Sequence, residues 1–341
     1  MKILHIADPQ TFTKSFFKLI EKEFEPAQHS ILSHVPVNEW PKDFTINNKA
    51  SVGVVWVLDF IRAVYRADKI IIHGLFDFYV VTLLALQPWL LRKCYWMMWG
   101  GDLYAYELSP RSWKWRLKEF FRHPVIKRMG CLITYVEGDV ELARNWYGAT
   151  GKHCRCLMYT SNIYREYAIK SESHRTINIQ VGNSADSSNN HLEILERLTP
   201  FRDEDIVIYA PLSYGNTEYA QSVIRVGKER FGDKFKPLTD FMPFDQYLDF
   251  LGKVDIAIFN HKRQQAMGNI ITLLGMGKKV YMRSDITPWA MFRKIGVKIY
   301  ESSELDLSSM DEHFVKSNRA AIRNNFSEKI IVDQLSQIFE G

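Results

Sequence analysis

A loop rich in glycine, serine and asparagine follows a predicted strand in the second half of the chain. Residues 176–181 alternate as a strand does, residues 191–198 have the periodicity of an amphipathic helix, and between them stand Gly182, Asn183 and Ser184. At the carboxyl end of a strand in an open α/β sheet, backbone N–H groups and a helix N-terminus together bind anionic groups. The loop therefore suggests a phosphate site, although serine and asparagine are also ordinary helix caps.

A second polar loop offers the positive charge that a diphosphate requires. Residues 260–269 follow an apolar strand at 256–259 and open another predicted helix. Fixed N–H donors and a nearby cation are what a diphosphate needs, so the two loops together predict a nucleotide-diphosphate site, with a solvated, capped loop as the alternative. Neither loop matches a Walker A or a G-x-G-x-x-G motif. The predicted donor-binding residues are Gly182, Asn183, Ser184, Arg263, Gln265, Gly268 and Asn269.

Two side chains in the first half are candidates for acid–base chemistry. His73 ends the apolar strand 69–73, and Asp102 follows the apolar run 94–99 after two glycines. Transfer of a group to a hydroxyl acceptor needs a carboxylate or an imidazole that accepts the hydroxyl proton. We therefore predict that His73 and Asp102 are catalytic, and either suits the role of base. A buried, hydrogen-bonded histidine and a helix N-cap are the structural alternatives.

A basic stretch with interleaved aromatic residues occupies residues 111–128. It holds seven Lys or Arg, one Glu and four large aromatic side chains. A helix of this kind suits an anionic membrane surface, with rings in the interface and cations at the phosphates. Packing of the rings on the core and binding of single-stranded nucleic acid are the alternatives. The predicted membrane-docking residues are Trp113, Lys114, Trp115, Lys118, Phe121, Lys127 and Arg128.

The elements that must position these residues alternate between strands and helices along the whole chain. This alternation predicts parallel sheets in an α/β fold, and the length of 341 residues suits two domains. We predict two Rossmann-like domains facing each other across a cleft, the GT-B layout. The predicted parts are an acceptor-side domain at 1–160, a linker at 161–175 and a nucleotide-sugar-binding domain at 176–341.

Composition and cysteine spacing restrict the class of protein further. With 46% hydrophobic and 24% charged residues, the chain is predicted to be globular and not disordered. Its four cysteines lack zinc spacing, which predicts reduced thiols in an intracellular protein. The longest apolar run, 78–91, contains Gln87 and Pro88 and is too short to span a bilayer. These features predict a cytoplasmic protein without a transmembrane anchor.

Three motifs resemble those of a known enzyme family and occur in the same order. They are residues 99–104 (WGGDLY), 181–191 (VGNSADSSNNH) and 263–268 (RQQAMG), accompanied by His73-Gly74 and Pro288-Trp289. The set resembles glycosyltransferase family 56, the 4-acetamido-4,6-dideoxygalactose transferases of enterobacterial common antigen assembly. The resemblance implies a GT-B fold, a dTDP-activated amino-deoxysugar donor and a polyprenyl-diphosphate-linked saccharide acceptor at the cytoplasmic face of the inner membrane.

The resulting hypothesis is a peripheral, metal-independent hexosyltransferase that needs no cofactor and binds no nucleic acid. The one D-x-D pattern, Asp203 to Asp205, stands before a predicted strand, at the wrong end for a metal site, and is interpreted as a solvated turn. Two alternatives remain: a glycosyltransferase that uses another nucleotide sugar on a protein or soluble glycan, and a non-catalytic nucleotide-sugar-binding protein.

Overall fold

A computed structural model describes most of the chain, namely residues 1–34, 40, 44–46, 54–166 and 175–341. Residues 167–174 of the predicted linker lie outside the described residues. The chain divides into two compact units. The first contains Met1–Ile163 and Glu328–Gly341, and the second contains Tyr164–Ser327.

The first unit is built on a parallel sheet whose strands alternate with helices along the chain. In chain order the strands are Ile3–Ile6 (β1), His29–Leu32 (β2), Thr45–Ile46 (β3), Lys69–His73 (β4), Cys94–Met97 (β5), Cys131–Ile133 (β6) and Lys152–Cys154 (β7). Their order across the sheet is β3-β2-β1-β4-β5-β6-β7. The central strand β4 is buried along its whole length, as expected of a parallel strand covered on both faces.

Helices pack on this sheet through apolar faces and begin at capping residues where the sequence provides them. They are Thr11–Glu23 (α1), Val54–Arg66 (α2), Phe78–Ala85 (α3), Gly101–Leu108 (α4), Trp113–Arg128 (α5), Glu137–Tyr147 (α6) and the C-terminal helix Glu328–Glu340. The Asp77 carboxylate accepts hydrogen bonds from the first-turn N–H groups of α3, and the Ser112 hydroxyl caps α5 in the same way.

The C-terminal helix belongs to the first unit, so the predicted second domain, 176–341, extends too far. The buried Lys69 Nζ donates to the carbonyl oxygens of Ile338 and Phe339, at 2.8 and 3.0 Å. A cation at the C-terminal carbonyls of a helix satisfies both the unpaired oxygens and the helix dipole. The Phe339 ring also lies 4.7 Å from the His29 ring, and Gln334 accepts from the backbone N–H of Leu157.

The expectation that the cysteines are reduced is not met by two of them. Cys131 and Cys154 form a disulfide, with their Cα atoms 6.3 Å apart. These residues lie on the neighbouring strands β6 and β7, a pairing that no sequence spacing reveals. Cys94 and Cys156 are free and buried.

The second unit repeats the plan with a six-stranded parallel sheet in the order β10-β9-β8-β11-β12-β13. Its strands are Ile177–Val181 (β8), Ile206–Pro211 (β9), Phe235–Leu238 (β10), Ile256–Phe259 (β11), Lys279–Met282 (β12) and Tyr300–Glu301 (β13). Its helices are His191–Leu198 (α7), Thr217–Phe231 (α8), Phe244–Lys253 (α9), Met267–Gly275 (α10), Thr287–Lys294 (α11) and Glu312–Asn325 (α12). Each sheet therefore reverses its direction of winding once, between β1 and β4 and between β8 and β11, and ligands of such sheets bind at that switch point.

Candidate active site

At the switch point of the second unit, Gly182 turns the chain sharply after β8. Its φ is 68°, and a Cβ atom there would lie 2.4 Å from His191 Nε2. Only glycine adopts this conformation and tolerates this approach without strain. The conformation of the predicted loop therefore requires a glycine at position 182.

Asn189 holds this loop together and joins it to the second one. Its Oδ1 accepts from the backbone N–H of Asn183 at 3.0 Å and from His261 Nε2 at 2.8 Å, and its Nδ2 donates to the carbonyl oxygens of Ser184 and Asp186. Burial, followed by the charge of Arg263, lowers the pKa of His261 to about 3, so this imidazole is neutral and carries its proton on Nε2. Asn189 was not among the predicted site residues, although it stands within the motif at 181–191.

The predicted donor-binding residues of the two loops meet in space. Gln265 Nε2 donates to Asn183 Oδ1 at 3.3 Å, and Ser188 Oγ donates to Gln265 Oε1 at 2.7 Å. The Arg263 guanidinium lies 3.6 Å from the Asp186 carboxylate. The structure thus places the amide and guanidinium groups of one loop beside polar side chains of the other.

Gly268 and Asn269 lie in the first turn of α10, immediately after the second loop. The first intrahelical bond of this helix runs from Ile270 N to Ala266 O, so the N–H groups before Ile270 have no partner within the helix. Ala266 has a φ of 55°, a left-handed conformation that is costly for a residue with a Cβ atom and that tends to occur at functional sites. The helix N-terminus beside Arg263 is therefore suited to an anionic ligand.

In the first unit, a cavity of about 260 Å³ opens at the carboxyl ends of β1, β2, β4 and β5. Its lining combines aromatic, acidic and imidazole side chains, among them Asp8, His34, Trp56, His73, Asp77 and Trp99. It lies at the switch point of its own sheet, where the ligand of such a unit is expected.

The predicted catalytic residue His73 lines this cavity but belongs to a buried chain of imidazoles. Its Nε2 lies 3.0 Å from His5 Nδ1 and its Nδ1 lies 2.8 Å from the Tyr159 hydroxyl, while His5 Nε2 lies 2.9 Å from His29 Nδ1. Burial lowers the pKa of His73 to about 3 and that of His29 to about 4. Burial and the two neighbouring imidazoles also hold the pKa of His5 well below its ordinary value. Both ring nitrogens of His73 are therefore occupied and the ring is neutral.

The other predicted catalytic residue, Asp102, is fully buried within a set of four N–H donors. Its Oδ2 accepts from Leu75 N and Trp96 Nε1, at 3.0 and 2.6 Å, and its Oδ1 accepts from Trp99 N and Leu103 N, both at 3.0 Å. Burial raises the pKa of Asp102, while these hydrogen bonds oppose the increase. The contacts tie the loop after β4 to the loop after β5, which favours a structural role over the predicted role as base.

A second imidazole lines the same cavity and was missed by sequence analysis. His34, just after β2, hydrogen-bonds through Nε2 to Asp77 Oδ2, and its ring stacks on Trp56 with centroids 4.2 Å apart. Two sequence signals could have identified this pair: His34 stands at the end of a strand, and Asp77 stands before an apolar helix. Their partnership joins segments far apart in the chain.

The basic aromatic stretch forms helix α5, and only some of its rings face solvent. Trp113, Leu117 and Phe120 are exposed and occupy one face of the helix, at positions i, i+4 and i+7. By contrast, Trp115 donates through Nε1 to the Ala105 carbonyl, and Phe121 packs against the core. The cations predicted to dock, Lys114, Lys118, Lys127 and Arg128, are all exposed.

Two features are absent from the part of the chain that the structure describes. No helix there is long and apolar enough to cross a membrane. No three His, Cys, Asp or Glu side chains there are grouped as a metal ion would need. Asp203 and Asp205 stand exposed before β9, at the amino edge of the sheet.

Comparison with solved structures identifies the fold. HepE of Anabaena, in complex with UDP and glucose, is similar over 100% of both chains, with a TM-score of 0.68 and 11% identity. WaaG, a glycosyltransferase involved in lipopolysaccharide biosynthesis, is similar over 99% of this chain and 100% of its own, with a TM-score of 0.65 and 10% identity. The sucrose-phosphate synthase of Thermosynechococcus elongatus has a TM-score of 0.65 and 10% identity over 100% of this chain and 98% of its own. The fold is that of a GT-B glycosyltransferase.

A family model identifies the group within this class. The model, described as 4-alpha-L-fucosyltransferase, glycosyl transferase group 56, matches residues 46–314. The chain therefore belongs to glycosyltransferase family 56, and the protein is a glycosyltransferase enzyme.

Proposed function

We propose that this enzyme transfers a 4-acetamido-4,6-dideoxyhexose, or a related sugar, from a dTDP-sugar to a polyprenyl-diphosphate-linked saccharide in cell-surface polysaccharide synthesis. The observation that carries the proposal is the union of the two polar loops at the N-terminus of α10. The family description names a fucosyl group, a 6-deoxyhexose, which agrees with a donor that lacks the 6-hydroxyl.

In this proposal the second unit holds the donor. Its joined loops offer the first-turn N–H groups of α10, the Gln265 and Asn183 amides and the Arg263 guanidinium within one small region. A diphosphate carries the charge and the acceptor oxygens that such a group recognises. HepE, which has the same fold, is described with UDP and glucose, a nucleotide and a sugar of the same chemical classes.

The acceptor, in the same proposal, is held by the first unit at a membrane surface. A polyprenyl chain stays in the bilayer, so the enzyme must reach the surface as a peripheral protein. Helix α5 presents apolar side chains on one face and exposed cations beside them, which suits the cytoplasmic face of an anionic inner membrane.

The donor assignment is tested by calorimetry with dTDP, UDP and a dTDP-sugar. Replacement of Arg263 by Ala should weaken nucleotide binding by about 1.5–3 kcal/mol, the range of a charge-assisted hydrogen bond. Lys253→Ala is the matched control, because Lys253 is exposed before β11, at the opposite edge of the same sheet. Equal affinities of the folded Arg263→Ala protein and the wild type would refute the assignment.

The transfer itself is tested by release of dTDP. We expect release that depends on a detergent-solubilised lipid-linked saccharide and is slow without it. Release that needs only a soluble glycan or protein acceptor would overturn the lipid-linked acceptor, and nucleotide-sugar binding without any release would indicate a binding protein.

A further inference from the structure

The arrangement of His34 in the cavity of the first unit is that of a proton acceptor. Its ring lies nearly parallel to the buried indole of Trp56, with an angle of 16° between the planes. Its Nε2 hydrogen-bonds to Asp77 Oδ2. Stacking fixes the plane of the imidazole, and the hydrogen bond fixes its rotation within that plane.

Asp77 is itself held rigidly. Its Oδ1 accepts from the backbone N–H groups of Tyr79 and Val80, at 2.7 and 3.3 Å, as the N-cap of α3. An ionised carboxylate only accepts hydrogen bonds, so an uncharged imidazole bonded to it through Nε2 carries its proton on that nitrogen. The lone pair is then on Nδ1, which has no hydrogen-bond partner among the described residues.

We propose that His34 is the catalytic base of the sugar transfer and that Asp77 is the residue that positions it. The inference rests on the function proposed above. The O–H bond of the acceptor hydroxyl breaks and its proton passes to His34 Nδ1, while the oxygen forms a bond to the anomeric carbon. The bond from that carbon to the diphosphate breaks, and the nucleoside diphosphate leaves with the electron pair. The imidazolium, stabilised by the Asp77 carboxylate, returns the proton to water.

The other candidate bases near this cavity are less suited to the step. His73 has both ring nitrogens in hydrogen bonds, and the Asp102 carboxylate accepts four. Asp8 lines the cavity, but its Oδ1 accepts from Ser33 Oγ at 3.1 Å and from the backbone N–H of His34 at 3.4 Å. Asp8 therefore positions the backbone of His34 through this hydrogen bond.

The proposal is tested first by His34→Gln in the full-length enzyme, with dTDP-sugar and lipid-linked acceptor. We expect kcat to fall about 10²–10⁴-fold, as for loss of a general base. The KM for the donor, the nucleotide affinity and the thermal midpoint should stay near those of the wild type. His313→Gln is the matched control, an exposed histidine of the second unit, and should leave the transfer rate unchanged.

A pair of substitutions at Asp77 separates positioning from structural support. Asn and Ser both cap helices well, so both should preserve α3. In Asp77→Asn, the new side-chain amide would donate to His34 Nε2 and move the ring proton to Nδ1, a tautomer that is unable to accept a proton there, whereas Ser leaves both tautomers available. We therefore expect Asp77→Asn to lose at least about ten times more activity than Asp77→Ser. A merely structural role predicts the reverse, since Asn is the closer replacement.

Three outcomes would overturn the proposal. The first is a folded His34→Gln enzyme whose kcat falls less than tenfold. The second is a greater loss of kcat in Asp8→Asn than in His34→Gln. The third is a smaller loss of activity in Asp77→Asn than in Asp77→Ser. Failure of the proposed function is visible separately, because the wild-type enzyme would then release no dTDP with the lipid-linked acceptor and the inference would fall with it.

Discussion

The two units wind their sheets in the same way about a switch point, where each carries candidate ligand-binding residues, yet those residues differ in chemistry. In the second unit the switch point is polar, and its loops are joined by amide, hydroxyl and imidazole hydrogen bonds around Asn189 and Gln265. In the first unit it is a cavity with aromatic walls. Most of the exposed large hydrophobic side chains of the described residues also belong to the first unit.

A doubly wound sheet thus fixes where a ligand binds and leaves open which ligand it is. In the proposed function, the backbone N–H groups and the cation of the second unit would bind a diphosphate, whereas the first-unit cavity, with its aromatic walls, carboxylates and imidazoles, would bind the sugar hydroxyl of a lipid-linked acceptor. Each of the following predictions tests whether the division between the two units is real.

The largest effect is expected at the membrane. Replacing Lys114, Lys118, Lys127 and Arg128 with Gln should reduce binding to anionic vesicles about 10³-fold, since each cation near such a surface contributes about 1 kcal/mol. Sedimentation with vesicles at low salt measures this, and wild-type binding should largely disappear at about 0.5 M salt. The charge-matched control replaces exposed cations of the second unit with Gln: Arg225, Lys228, Lys236 and Lys316.

The apolar face of α5 provides a finer version of the same test. With the cations intact, changing Trp113, Leu117 and Phe120 to Ser should weaken the binding that remains at high salt without unfolding the protein. Equal binding of the wild type to neutral and anionic vesicles, or a loss in the second-unit control as large as in α5, would contradict the division between the units.

The next effect concerns the stability of the first unit. Asp102→Ala would leave buried N–H donors of Leu75, Trp96 and Trp99 without an acceptor, so we expect a loss of at least about 3 kcal/mol in the free energy of unfolding. Urea unfolding measures this, and Asp203→Ala, at an exposed position, should change it little. Nucleotide binding by the second unit should survive. Wild-type stability together with lost transfer would instead support Asp102 as the base.

The smallest effect is the difference in acid destabilisation between the units, which corresponds to the one additional buried histidine of the first unit. The pKa of His73 is lowered from 6.5 to about 3 and that of His29 to about 4, so the unfolded chain binds more protons below pH 6.5. Their stabilisation is complete above that pH and is lost as the pH falls towards about 4 and 3. Each such histidine accounts for about 2 kcal/mol between pH 7 and pH 5.

Calorimetry at the two pH values measures this loss, and imidazole NMR signals identify the groups. His5 adds a third buried histidine to the first unit, while His191 and His261, with pKa values lowered by burial to about 4 and 3, are the counterparts in the second. Titration of His5, His29 or His73 near pH 6.5 in the folded protein would contradict the prediction.

The fold was largely predictable because its central strands are apolar and alternate with helices along the chain. The strands 69–73 and 256–259 were predicted with the bounds that the structure has, since they are continuous runs buried on both faces. The two-residue strand β3 and the three-residue strand β7 were missed, because so short a segment shows no periodicity. The meeting of the two polar loops followed from their shared position at strand ends.

The first-unit site was harder to predict because its geometry depends on contacts between distant segments. Asp102 has the residue type of a base, and only its donors from two separate loops show that the carboxylate is enclosed. His34 acquires its orientation from Trp56 and Asp77, which belong to distant segments of the chain. Residue type and local spacing contain no information about such partners.

The position of the last helix has a consequence for how the chain is made. Because residues 328–340 complete the first unit, that unit is interrupted by the whole second unit and closes only after residues 164–327 have been synthesised. During synthesis the rings of Phe24 and His29 can contact Phe339 only after residues 164–327 have been made. Those residues, by contrast, emerge as one uninterrupted stretch that contains the whole second unit. The second unit can therefore complete its fold before the first unit does, although the first unit begins earlier in the chain.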